Sequence, residues 1–215
     1  MSVHYSASRF LLEGLVAALS GWEVRGREQI PASGGLIVAS NHISFWDPPL
    51  VGTAAVRELH FLAKEELFRT PLLGPLIRAY NAIPIRRGTA DVSGLHRAMD
   101  VLRAGRALII FPEGTRARDG EQRAARPGVG MLAVATGAWV VPACISGSDA
   151  PRKWMFRQAK LRVWFGAPRT WRELAGSDAE LEPGRALYQS VGNGVMREIA
   201  VLRAGQMNSV ARGAA

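Results

Sequence analysis

The stretch Val101-Leu102-Arg103-Ala104-Gly105-Arg106-Ala107-Leu108-Ile109-Ile110-Phe111 decides the fold. Its first residues end a helical pattern over 92–104, and Gly105 stands where a helix C-cap belongs. Past Arg106 comes an apolar run, 107–111, which reads as a strand buried on both faces. A helix handing directly over to such a strand is the unit from which α/β sheets are built.

The same alternation continues on both sides of this unit. Apolar runs at 36–39, 59–62, 83–85, 139–145 and 161–165 read as further strands, and 50–56, 71–80 and 129–136 as helices. A last helix over 185–203 carries Leu187, Val191, Val195, Ile199 and Leu202 on one face. Gly192 and Gly194 each cost about 1 kcal/mol of propensity in its middle. The chain beyond Gly205 reads as frayed. With no internal repeat and no obvious linker, the expectation is one α/β domain over 25–205. It has a mostly parallel central sheet flanked by helices, an amphipathic helical segment at 1–24, and a flexible tail at 206–215.

Near the N-terminus, Phe10, Leu11, Leu12, Leu15, Val16, Ala17, Ala18 and Leu19 form an apolar run broken by Glu13. It is too short to span a bilayer core, which takes about 20 residues, and its flank is a poor signal-peptide cleavage site. Phe10, Leu11, Leu15, Leu19 and Trp22 recur at helical spacing. Two readings are open: a helix packed on the domain's own core, or one lying in a membrane interface with Trp22 and arginines at headgroup level.

The 215 residues carry 27 Lys+Arg against 18 Asp+Glu, a net +9, with 48% hydrophobic residues. That hydrophobic share excludes a disordered chain. The charge implies an anionic partner: nucleic acid, an acidic membrane surface or a phosphorylated substrate. The single Cys144 excludes an intrachain disulfide and, inside an apolar run, reads as a small core residue. A P-loop, a complete dinucleotide-binding glycine pattern, a G-x-S-x-G elbow and a His/Cys metal cluster are all missing from the sequence, so no metal or cofactor is expected.

What remains lies at strand ends. Asn41-His42-Ile43-Ser44-Phe45-Trp46-Asp47 connects strand 36–39 to a helix. A His and an Asp five positions apart across such a turn can meet, the carboxylate fixing the imidazole tautomer and stabilising its cation, as a general base requires. Ser44, two residues from His42, reads as a turn former. Strand 107–111 ends in Pro112-Glu113-Gly114-Thr115-Arg116, where glycine admits a ligand to the backbone and arginine offers a fork for phosphate. Strand 83–85 ends in Arg86-Arg87-Gly88. Arg118, Arg123 and Arg126 follow in a loop, and Arg152-Lys153-Trp154-Met155-Phe156-Arg157 mixes cations with aromatics.

In order, Asn41-His42 with Asp47, residues 81–87, Phe111-Pro112-Glu113-Gly114-Thr115-Arg116, and Val140-Val141-Pro142 resemble the four blocks of the glycerolipid acyltransferase family. Its type members are the 1-acylglycerol-3-phosphate O-acyltransferases. The first and third blocks match in full. The second departs, with Asn81 where the family usually has glycine, although Arg87 falls at the family's arginine.

The resemblance implies that His42, oriented by Asp47, deprotonates the hydroxyl of a lysophospholipid. The oxygen then attacks the thioester of acyl-CoA or acyl carrier protein, without a covalent acyl-enzyme and without a metal. It assigns the acceptor's phosphate and glycerol to Arg87, Glu113, Gly114, Thr115 and Arg116, with Lys64 as a further phosphate contact. It implies a peripheral or monotopic enzyme on the cytoplasmic face of the cell membrane, not a nucleic-acid binder. Alternatives are the same chemistry on another acceptor, such as an ornithine or glycosylated lysolipid, and a basic nucleic-acid-binding module resting on charge alone.

Overall fold

A computed structural model describes residues 3–86, 92–117 and 121–213. Seven strands form one sheet: Glu23–Arg25 (β1), Leu36–Ser40 (β2), Leu59–Lys64 (β3), Ala82–Ile85 (β4), Ala107–Ile110 (β5), Trp139–Ser146 (β6) and Arg162–Phe165 (β7). Their order is β1-β7-β6-β2-β5-β3-β4. Every neighbouring pair runs parallel except β6 with β7.

Helices cover both faces: Val3–Leu19 (α1), Asp47–Ala54 (α2), Leu73–Ala79 (α3), Val92–Arg103 (α4), Gly128–Thr136 (α5), Pro151–Met155 (α6), Trp171–Ala175 (α7) and Arg185–Gly213 (α8). Period-2 alternation in the central strands serves two separate cores. Ile37 and Ala39 of β2, with Leu108 and Ile110 of β5, pack beneath α4, α5 and α8. Leu36 and Val38, with Ala107 and Ile109, pack beneath α2, α6 and Val16 of α1. Both cores being apolar explains why these strands read as unbroken hydrophobic runs.

The α/β sheet expected from the sequence is present, and each of the six apolar runs forms a strand. β1 was not foreseen: it is a short edge strand with charged Glu23 and Arg25, which lacks any hydrophobic run. α6 and α7 were also missed, at five residues each too short for a periodicity to register. Helix α8 does not stop near Arg203 but continues to Gly213. Gln206 inside that extension is buried, and its amide donates to the Cys144 carbonyl at 2.9 Å, which ties the late part of the helix to β6.

Helix α1 packs on the domain along one side and leaves apolar side chains exposed on the other. Tyr5 and Val16 are buried, and the Tyr5 hydroxyl accepts from the Leu59 amide at 3.2 Å. The opposite side leaves Phe10, Leu11 and Leu15 between 52% and 76% exposed. Glu13, which breaks the apolar run, pairs with Arg27 at 2.6 Å and with Arg9 at 3.2 Å. Among the described residues, no helix is long and apolar enough to cross a membrane.

Candidate active site

The carboxyl ends of β2, β5 and β6 lie side by side in the sheet, and the chain leaving each contributes to one site. Beyond β2, the Asn41 side chain brackets the Ile145 backbone of β6. Its amide donates to the Ile145 carbonyl at 2.9 Å, and its oxygen accepts from the Ile145 amide at 2.8 Å. That bracket fixes where the next residue, His42, leaves the sheet.

His42 and Asp47 meet as their spacing suggests, with Nδ1 2.8 Å from Oδ2. Asp47 is the first residue of α2, where a carboxylate is favoured by the helix dipole. It is fully buried. The same Oδ2 accepts from the amides of Ile43 and Ser44, each at 2.7 Å, so the turn wraps around the carboxylate. Acceptance by Asp47 places a proton on Nδ1 and leaves the lone pair of Nε2 available. The imidazole stacks on Phe111 at 4.1 Å with 21° between planes, which fixes its remaining rotation. Ser44 accepts from the Trp46 amide at 3.2 Å, the local turn role its position implied.

The turn after β5 comes to the same place. The Ala117 amide donates to the His42 carbonyl at 2.8 Å, joining the two loops. Glu113 is buried. Its carboxylate accepts from the His42 amide at 3.3 Å and from the Arg123 amide at 3.2 Å. Burial raises its pKa above the usual carboxylate value, partly opposed by those two amide donors. Gly114 adopts φ 70°, and a Cβ there would lie 2.6 Å from the Arg126 side chain. The left-handed φ favours glycine, and any larger residue would also have to displace the Arg126 side chain. Arg116 lies over the Phe45 ring, its guanidinium carbon 3.4 Å from the centroid, and Arg123 donates to the Thr115 hydroxyl at 3.4 Å.

Thus the structure brings together His42, Asp47, Glu113, Gly114, Thr115 and Arg116. Lys64 ends β3, exposed on the same side of the sheet but two strands from β2. Beside it, Glu65 is held below the usual carboxylate range by Arg86 at 2.7 Å. Arg87 lies outside the described residues, as does Arg118. Asn81 takes φ 61°, the left-handed conformation for which a glycine would be suited and asparagine is the best substitute. It stands at the amino end of β4, lining a separate cleft of about 660 Å³ with Arg57, His60 and Arg106, away from His42.

Sequence reasoning missed Ser148. It is fully buried beyond β6, and its hydroxyl donates to Oδ1 of Asp47 at 2.5 Å. In the sequence, Gly147-Ser148 lacks the following glycine of a nucleophile elbow and carries no other pattern. The available signal was its place, just beyond the strand that carries the fourth block.

Comparison with known proteins identifies the family. The description "Acyltransferase" belongs to the family whose sequence model matches residues 21–146, more than half of the chain. A 1-acyl-sn-glycerol-3-phosphate acyltransferase of Bacillus subtilis is 27% identical over 158 residues, covering 73% of this chain and 78% of that protein. A lyso-ornithine lipid O-acyltransferase of Pseudomonas aeruginosa is 38% identical over 140 residues, covering 65% of this chain and 53% of that protein. The crystal structure of the 1-acyl-sn-glycerophosphate (LPA) acyltransferase PlsC from Thermotoga maritima superposes with a TM-score of 0.67 at 28% identity, covering 95% of this chain and 84% of that one. With its strand-end His–Asp pair inside the matched region, this chain belongs to the acyltransferase family.

Proposed function

We propose that the protein transfers a fatty acyl group from acyl-CoA or acyl carrier protein to the free hydroxyl of 1-acylglycerol-3-phosphate, giving phosphatidic acid. The observation that carries this reading is His42, oriented by Asp47 with Nε2 free, beside the Gly114–Arg116 turn. Nε2 takes the hydroxyl proton as the oxygen attacks the thioester carbonyl. Collapse of the tetrahedral intermediate expels the thiolate, which recovers that proton from the imidazolium. The thioester is already activated, so the step needs no covalent acyl-enzyme and no metal. The base supplies about 10²–10⁴-fold and alignment of the two substrates much of the remainder. Arg116, Thr115 and the Gly114 backbone receive the acceptor phosphate, with Arg87 and Lys64 as further cationic contacts. Glu113 acts through the turn it holds.

The acceptor is reached from a membrane surface, on its cytoplasmic face. Phe10, Leu11 and Leu15 of α1 support this, as do Met155 and Phe156 at the end of α6, 44% and 72% exposed. Arg157 donates to the Ala18 carbonyl at 3.4 Å, which joins the two segments into one apolar and basic face. A second reading, the same transfer to a lyso-ornithine lipid, is favoured by the 38% identical Pseudomonas relative. Purified protein offered acyl-CoA or acylated carrier protein, with lysophosphatidate or lyso-ornithine lipid as acceptor, separates the two. Turnover of neither acceptor with either donor, or full activity in His42→Ala, would overturn the proposal.

A further inference from the structure

We propose that Ser148 is a positioning residue for the His42–Asp47 pair, acting through a hydroxyl that clamps the free oxygen of the Asp47 carboxylate. The inference rests on the acyl-transfer reading for its kinetic consequence, but its geometry stands independently.

Asp47 is fully buried, so each carboxylate oxygen must find donors. Oδ2 has three: His42 Nδ1 and the amides of Ile43 and Ser44. All three come from the Asp47 turn itself, and on their own they leave the other oxygen unanchored to the rest of the fold. Ser148 supplies that anchor from a point 101 residues away, at 2.5 Å. The carboxyl plane is thereby set from two directions, and with it the line along which Nδ1–H must point.

The chain is shaped to deliver this hydroxyl. Gly147 adopts φ 84°, and a Cβ there would lie 2.4 Å from the Lys160 carbonyl oxygen. The turn after β6 can therefore close onto the β7 approach only with glycine, and it places Ser148 under α2 with no exposure to solvent. The hydroxyl supplies the donor that this buried oxygen requires and is not an incidental surface group. Nor is it placed as a nucleophile, since its hydroxyl bonds to Asp47 and no hydrogen bond joins it to His42. Other charged groups near the pair are Glu113, on the His42 amide, and Arg116, over Phe45.

The test compares the wild type, Ser148→Ala and Ser148→Thr in two measurements. In steady-state acyl transfer, S148A is expected to lower kcat about 10- to 100-fold, as loss of an outer hydrogen-bond partner does in metal sites, with KM for either substrate changed less than about twofold. Removing a donor to Asp47 concentrates its charge. That favours the imidazolium, so the acid limb of the pH–rate profile moves to higher pH. In ¹⁵N-histidine NMR, with the His42 signal assigned from H42A, the imidazole titration shifts in the same direction. S148T, which keeps the hydroxyl, restores both. If S148A retains wild-type kcat and His42 titration, or if Thr fails to restore what Ala loses, the positioning role is overturned and packing remains. A wild type inactive on every acceptor would remove the acyl-transfer reading, while the NMR titration would still decide on Ser148.

Discussion

At the residue scale, the contact between Nδ1 of His42 and Asp47 is what the proposed chemistry rests on. Replacing Asp47 by Asn keeps the shape but lets the imidazole adopt the wrong tautomer, so D47N is expected to lose about 10²–10⁴-fold in kcat with near-normal thermal stability. Glu113 gives a pH signature in stability. Its folded pKa is raised, so its contribution to stability is complete below the unfolded value near 4.5 and is lost as pH rises through the folded pKa. The stability advantage of the wild type over Glu113→Gln should therefore shrink as pH rises, a trend thermal melts between pH 4 and 8 would read. A constant difference would mean that Glu113 does not ionise within that range. Burial pushes the Cys144 thiol up to about 12, so the native protein should resist alkylation at pH 8, and C144A should keep full activity. His42, Asp47 and the turn from Glu113 to Arg116 were legible because each combines a reactive or phosphate-binding side chain with a strand end. Ser148 was not, since a serine next to a glycine carries no chemistry until the fold places a carboxylate opposite it.

At the element scale, strands announced themselves through apolar runs and helices through periodicity, but interfaces between helices did not. Gly194 looked like a weakness in α8. A Cβ there would lie 2.1 Å from the Leu174 carbonyl oxygen, so glycine is what lets α8 lie directly on α7. Gly194→Ala, a gain in intrinsic propensity, should thus destabilise by about 1–3 kcal/mol, read from a denaturant midpoint. A stabilised variant would show that α7 can move away freely. Helix α1 gave the complementary ambiguity. Its apolar stripe was readable, but which side meets the domain depended on Tyr5 reaching the Leu59 amide, a contact invisible in a periodicity.

For the whole molecule, the +9 charge falls into two uses. Arg116, at the third-block turn, is assigned to the acceptor phosphate in the proposed reaction. Arg152, Lys153 and Arg157 border the exposed apolar residues of α1 and α6. Binding to anionic vesicles is expected to weaken several-fold between low and physiological salt. It should fall further when Phe10 and Leu11 are both replaced by Glu, as a vesicle co-sedimentation assay would measure. Undiminished binding of that double variant would sink the role of α1. Composition could call only for an anionic partner, because a sum of charges holds no information about where they lie.

The pairing of β1 with β7 has a consequence in time. Glu23 aligns with Arg162 and Val24 with Val163, so the segment that follows α1 has no strand partner until most of the chain exists. During synthesis, which proceeds from the N-terminus, α1 emerges well before β7, and the edge strand that follows α1 is secured late. Closing so long a loop is slow compared with local helix formation. A nascent chain therefore presents Phe10, Leu11 and Leu15 of α1 before the edge of the sheet that follows them is closed.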